Sequence, residues 1–247
     1  MKKLIGIMGA SYCGSTHLSL ILGSLYDALN IGESHWLFEN NNDMRKCSIC
    51  GHDCTRINYV MNLPKKSFYS SLSDKLACNT IVASDKHPIF YEGKLDNIYF
   101  HPIILFKSPE RHLNSLMSHG DTDPEKNLSV LQDIYTAIEK FASDYDYTCL
   151  DYDYFLSDKE NVLKYLCKKF NLIYDEKAIN YWNFDHHFLG GNGGAYFKIR
   201  TKKDFYTCDY VDYRYKFNLS EKNMLLARSH PYNEIYLKMV KKFTDEF

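Results

Sequence analysis

Gly9-Ala10-Ser11-Tyr12-Cys13-Gly14-Ser15-Thr16 joins an apolar strand pattern to an apolar helix pattern, and its reading decides the fold. On its N-terminal side Leu4, Ile5, Ile7 and Met8 form a short apolar run between Lys3 and Gly9, as a buried strand does. On its C-terminal side Leu18, Ile21, Leu22, Leu25, Ala28 and Leu29 recur at three- and four-residue intervals, which predicts a helix starting near Ser15. The two glycines between them permit a tight turn that brings backbone N–H groups round a ligand, and a helix N-terminus adds a partial positive charge. The stretch therefore reads as a cradle for phosphate or sulfate. A glycine-rich strand-to-helix turn that holds no ligand is the competing reading.

The spacing is that of a P-loop, with one departure. Where a Walker A loop carries Gly-Lys-Ser/Thr, this chain has Gly14-Ser15-Thr16. The lysine that would reach the terminal phosphates of a nucleoside triphosphate is missing, which argues against ATP or GTP hydrolysis.

Further along, Asn30-Ile31-Gly32-Glu33-Ser34-His35-Trp36 reads as a short strand ending in polar groups, at the sheet end where open α/β folds bind ligands. On an extended segment Glu33 and His35, two residues apart, point to one side and could face a substrate together. Capping or ion-pairing with a neighbouring loop is the alternative for both. Asn79 to Ala83 reads as a strand that leaves Asp85 and Lys86 at its carboxyl end before Pro88 forces a turn. Pro102 to Phe106 is another strand, followed by a helix from Pro109 to about His119 with Ser108 as N-cap and Pro109 at the first helical position. Lys107 just before that helix and Ser115 within it offer a second anion site.

Helical spacing recurs over Asn127 to Phe141 and in Val162, Leu163, Leu166 and Phe170, with a strand at Thr148 to Tyr152 between them. Then comes a loop with four glycines, His186-His187-Phe188-Leu189-Gly190-Gly191-Asn192-Gly193-Gly194, trailed by Lys198, Arg200, Lys202 and Lys203. Either the loop approaches a ligand closely or it is a flexible segment with a basic rim. Two helices, near Glu221 to Arg228 and Asn233 to Phe243, finish the chain. Strands alternating with helices predict an α/β fold, an open parallel sheet in three layers, with residues 1–247 as one domain.

The bulk properties narrow the functions. A net charge of −1 argues against a nucleic-acid binder with a broad basic surface. No apolar run is long enough for a membrane span, and polar residues from Gly9 to His17 interrupt any signal-peptide core, so the chain is expected to be cytoplasmic. Cys13, Cys78, Cys149, Cys167 and Cys208 are scattered rather than set in a disulfide framework. Cys47-Ser48-Ile49-Cys50-Gly51-His52-Asp53-Cys54 is the one cluster, and its three thiols and one histidine could supply four zinc ligands. Metal knuckles usually pair two half-sites across a longer loop, so a thiol cluster without metal is favoured over structural zinc.

Taken together these segments resemble the sulfotransferases that use 3′-phosphoadenosine 5′-phosphosulfate (PAPS), closest to their bacterial branch, over almost the whole chain. The resemblance is carried by Gly9 to Thr16, similar to the family's 5′-phosphosulfate loop, and by Gly32-Glu33, similar to its Gly-Glu motif. Ser84-Asp85-Lys86 is similar to its Ser-Ser-Lys segment, Lys107 through Ser115 to its 3′-phosphate motif, Gly190-Gly191-Asn192 to its late glycine loop, and Cys47, Cys50 and Cys54 to a cysteine-rich segment of that branch. It implies a P-loop NTPase-like sulfotransferase fold and transfer of a sulfuryl group from PAPS to a hydroxyl or amine, with a small molecule, carbohydrate or glycolipid as acceptor and no metal required. It also implies roles. Ser11, Tyr12, Cys13, Gly14, Ser15 and Thr16 hold the 5′-phosphosulfate, Lys107 and Ser115 the 3′-phosphate, Lys86 neutralises the leaving oxygen, and Glu33 is the general base with His35 in reserve. Three positions depart from the family pattern: Tyr12 and Lys107 stand where Arg or Lys and Arg are usual, and Ala195 where an arginine often lies. A P-loop small-molecule kinase with Asp85 or Asp151 on Mg²⁺, and a non-catalytic nucleotide or zinc-binding module, are the alternatives.

Overall fold

The computed structural model describes residues 1–39, 43, 45–202 and 218–247. Lys203 and Cys208 lie outside the described residues. The apolar run before the glycine loop forms β1 (Lys3–Met8), whose Leu4, Ile7 and Met8 are completely buried. Burying each such side chain contributes about 1.5–3 kcal/mol, so the run fixes β1 at the centre. It pairs in parallel with β3 (Thr80–Ala83) on one side and β4 (Tyr99–Phe106) on the other. Outside these lie β2 (Ala28–Gly32) and β5 (Thr148–Asp151), giving the parallel order β2-β3-β1-β4-β5. The near-continuous apolar strands are what a sheet covered on both faces needs.

Helices α1 (Ser15–Leu22), α2 (Thr55–Val60), α3 (Phe68–Leu76), α4 (Pro109–Met117) and α5 (Pro124–Ala142) connect the strands. They are followed by α6 (Tyr152–Ser157), α7 (Lys159–Phe170), α8 (Gly193–Thr201), α9 (Glu221–Ser229) and α10 (Tyr232–Glu246). From β1 the chain runs to the edge strand β2, returns to β3, crosses β1 to β4 and goes on to β5, and right-handed crossovers put α1 on one face and α3 and α5 on the other. On the second face α10 packs on α5 and β5. The strand order reverses at β1, so the carboxyl ends of β1, β3 and β4 open onto a crevice. No helix among the described residues is long and apolar enough to cross a membrane.

Three sequence expectations are corrected. The helix after the glycine loop stops at Leu22 with Gly23 as its C-cap, which lets Asn30 pack so close that an added Cβ would lie 2.4 Å from it, and Ala28 and Leu29 belong to β2 instead. The strand expected to run to Trp36 ends at Gly32, which takes φ +73°, and Ser34–Phe38 is a short 3-10 helix. Lys198 and Arg200 lie on α8 and Lys202 at its end rather than on a loop rim, where Arg200 bonds the Ser48 carbonyl and Lys202 the Phe184 carbonyl.

Candidate active site

The glycine loop is held from behind. The Ser11 carbonyl accepts from His112 Nε2 at 2.8 Å, and the Tyr12 carbonyl accepts from Lys107 Nζ at 2.7 Å. The planar trans peptide then turns the Tyr12 N–H away from His112. Tyr12 takes a left-handed φ of +65°, and its ring stacks on His119 at 3.7 Å. Gly14 has φ +101°, and a Cβ there would meet the Tyr152 ring at 2.2 Å. That position therefore admits glycine alone. Ser15 and Thr16 begin α1 and are buried, and first-turn amides of a helix have no intrahelical acceptor.

Lys107 and Ser115 come together as the sequence suggested. β4 ends at Phe106, Ser108 caps α4 by accepting from the Arg111 N–H, and about two turns later Ser115 Oγ is 3.4 Å from Lys107 Nζ. Lys107 also lies over the Tyr152 ring at 5.0 Å. Burial pushes the Lys107 pKa below the ordinary lysine value.

On the other side of the loop, Lys86 Nζ forms an ion pair with Glu33 Oε1 at 2.9 Å. Burial would lower the Lys86 pKa, but the charge and hydrogen bonding of Glu33 outweigh it and raise the pKa above the ordinary value. Glu33 Oε2 accepts from Trp36 Nε1 at 3.0 Å. Glu33 and His35 are thus brought to one cleft by a turn, not by strand alternation, and each has its own partner. His35 donates from its backbone N–H at 2.9 Å and meets Asp85 through Nδ1 at 2.7 Å. Asp85 is completely buried and also accepts from Tyr69 OH at 2.9 Å and from Ser34 Oγ. Its carboxylate is committed to four protein donors. Asp151, the other carboxylate considered for Mg²⁺, caps α6 by accepting from the Asp153 and Tyr154 amides.

Gly9, Ser11, Glu33, His35, Lys86 and Phe90 line a cleft of about 250 Å³ beside the glycine loop. Phe90 stacks on the His35 ring at 4.0 Å. Cys13, by contrast, is completely buried, and burial raises its pKa, so its side chain belongs to the core and only its backbone borders the loop.

The late glycine segment reaches the same place. Leu189 donates to the Ile31 carbonyl at 3.0 Å and accepts from the Glu33 N–H at 2.8 Å. Gly190 has φ +58°, and a Cβ on it would lie 2.5 Å from Glu33 Oε2. Gly191 passes Thr16, and Asn192 caps α8 by accepting from the Gly194 N–H. Cys47, Cys50 and Cys54 converge on His187 of this segment, whereas His52 of the cysteine stretch is exposed and is not in the group. Sequence reading missed His187, the Asp85 network and Trp36. For Trp36, the three-residue offset from Glu33 was the available signal.

A central parallel sheet with a P-loop-like turn, one lysine beside its start and another bonded to its Tyr12 carbonyl, defines the class: an open α/β protein whose glycine turn lies at the carboxyl ends of its strands. No protein-family model and no curated protein matches the sequence. Among solved structures, the chain is similar to the sulfotransferase domain from the curacin biosynthetic pathway, with a TM-score of 0.60 at 16% identity, covering 99% of this chain and 98% of that one. It also matches the sulfotransferase from Alicyclobacillus acidocaldarius with a TM-score of 0.44 at 13% identity, covering 73% of this chain and 89% of that one. The first likeness extends over both whole chains, and the two share a fold.

Proposed function

We propose that the chain is a sulfotransferase that moves a sulfuryl group from PAPS to an acceptor hydroxyl or amine. One observation carries this reading: the glycine loop lies between two separate lysine sites, Lys86 with Glu33 and Lys107 with Ser115. A nucleoside triphosphate needs one cationic site along a single phosphate chain, whereas a nucleotide phosphorylated at both 3′ and 5′ positions needs two. In this reading Ser15, Thr16 and the loop amides hold the 5′ group, and Lys107 with Ser115 holds the 3′-phosphate. Lys86 stabilises the charge that builds on the departing phosphate oxygen as the S–O bond to it breaks. The acceptor oxygen or nitrogen forms the new bond to sulfur and gives its proton to Glu33. Catalysis then rests on positioning and charge neutralisation, as in phosphoryl transfer.

His35 is the second candidate for the base. Its Nδ1 donates to Asp85, which leaves the Nε2 lone pair available, the arrangement that orients a catalytic imidazole. The acceptor class we favour is a carbohydrate or glycolipid, only because bacterial members of the family that the motifs resemble often sulfate such acceptors. Against the kinase alternative stand Ser15 in the lysine position and the full commitment of Asp85 to protein donors.

Calorimetric titration with adenosine 3′,5′-bisphosphate, run beside ATP with magnesium, tests the reading. Binding of the bisphosphate without ATP binding is expected. Tight magnesium-dependent ATP binding and no bisphosphate binding would make this a kinase loop.

A further inference from the structure

We propose that Cys47, Cys50, Cys54 and His187 form a structural zinc site that clamps the 186–192 segment against Glu33. The three sulfurs and His187 Nδ1 all lie within 4.8 Å of one another, and Nδ1 is 3.2 Å from the sulfurs of both Cys50 and Cys54. Tetrahedral zinc, with Zn–S near 2.3 Å and Zn–N near 2.0–2.1 Å, separates its ligands by roughly 3.5–3.8 Å. One ion can therefore reach all four atoms without rearrangement of the backbone. The donor set of three thiolates and one imidazole suits zinc and excludes hard oxygen-seeking cations.

Two further features are those of a metal site rather than a chance cluster of thiols. Cys47 and Gly51 exchange backbone hydrogen bonds at 3.2 and 2.9 Å, closing a tight turn that presents Cys47 and Cys50 together. Gly51 has φ +77°, and a Cβ there would meet nothing within 4 Å, so glycine is required by the turn and not by packing. His187 is also oriented. Its Nε2–H donates to Asp185 Oδ2 at 3.1 Å, which leaves the Nδ1 lone pair directed at the sulfurs.

The site has a structural consequence because its ligands come from two distant segments, Cys54 and His187 being 133 residues apart. Cys47 bridges Leu189, the Ser48 N–H bonds the Phe188 carbonyl at 2.8 Å, and Ser48 Oγ bonds the Gly190 carbonyl at 2.9 Å. Leu189 in turn holds the Glu33 N–H. Binding Zn²⁺ replaces three S–H bonds by three Zn–S bonds, releases three protons to solvent and leaves the site with one net negative charge. Closing so long a loop restricts the unfolded chain and fixes the glycine segment over the cleft. The site does not depend on the sulfotransferase reading.

The test measures metal in the full-length protein purified without chelator, beside His187→Ala and His52→Ala. The wild type and His52→Ala are expected to carry about one zinc per chain, and His187→Ala to bind zinc at least ~10-fold more weakly in competition with a chelator. Cobalt titration of the metal-stripped wild type is expected to give thiolate charge-transfer and tetrahedral ligand-field bands, a readout that survives if His187→Ala fails to fold. Stripping the metal is also expected to raise proteolytic cleavage within residues 186–192. A wild type with no zinc and no cobalt bands, or zinc that depends on His52 and not on His187, would overturn the site. Cleavage unaffected by metal removal would overturn the clamp.

Discussion

Lys107 Nζ lies 3.4 Å from Ser115 Oγ, and the same ammonium donates to the Tyr12 carbonyl of the glycine loop at 2.7 Å. A group that binds at Lys107 is therefore sensed by the loop itself. In the proposed reading, Ser115→Ala removes one hydrogen bond to a charged phosphate, worth about 1.5–3 kcal/mol. Binding of adenosine 3′,5′-bisphosphate should weaken by roughly 10- to 100-fold while adenosine 5′-monophosphate changes little. Calorimetry with both ligands checks this, and equal losses would remove the 3′-phosphate assignment.

The two base candidates have different partners and separate cleanly. Glu33→Gln keeps the shape and the Trp36 contact but cannot take a proton, so turnover at saturating acceptor should fall about 10²- to 10⁴-fold. His35→Gln should cost much less if Glu33 is the base. The reverse order, together with a comparable loss in Asp85→Asn, would move the role to His35. Single-turnover rates with a phenol or sugar acceptor are the measurement.

Buried histidines set an acid limit on stability. Burial, and then the Lys107 charge, pushes His112 down to about 3, and burial pushes His101 down to about 4, from an ordinary value of 6.5. Between those values the unfolded chain binds protons that the folded chain does not, so unfolding free energy falls as pH drops below 6.5. Each histidine contributes a slope of about 1.4 kcal/mol per pH unit in that window. Denaturant titrations between pH 4 and 6 should show this slope reduced by about that amount in His112→Gln, which keeps a donor for Ser11. An unchanged slope would mean that His112 titrates normally.

Gly190 makes a steric prediction. Its φ of +58° and the 2.5 Å approach of an added Cβ to Glu33 Oε2 make Gly190→Ala both strained and intrusive. Gly120, with φ +102° and open space around it, supplies the control for strain alone. Both variants should lose about 1–3 kcal/mol of stability. Only Gly190→Ala should also depress turnover, read from kcat in the folded fraction, because it displaces the carboxylate.

What the sequence revealed follows from how local each signal is. β1, the glycine loop and the start of α4 were legible because apolar runs, glycines and the Ser108-Pro109 cap act within a few residues. Lys107 and Ser115 were legible for the same reason, one helix joining them. The geometry of Glu33 and His35 was not, because Gly32 ends the strand by pairing with Leu189, a residue far away in the sequence. His187 escaped notice for a like cause. The cysteine stretch already holds a nearer histidine, and only the tertiary fold brings the distant one to the sulfurs while leaving His52 in solvent.

The bridge between Gly32 and Leu189 also bears on how the molecule behaves among its own copies. β2 is an outer strand, and an open strand edge offers unpaired N–H and carbonyl groups that recruit other chains. Leu189 occupies the carboxyl end of that edge, bonding the Ile31 carbonyl and the Glu33 N–H. Among the described residues all five strands end by Asp151, so a fragment ending there would contain this sheet yet lack Leu189 at its edge. The later segment thus covers the carboxyl end of that edge, and a chain that loses its hold on β2 is expected to offer the uncovered groups to other copies.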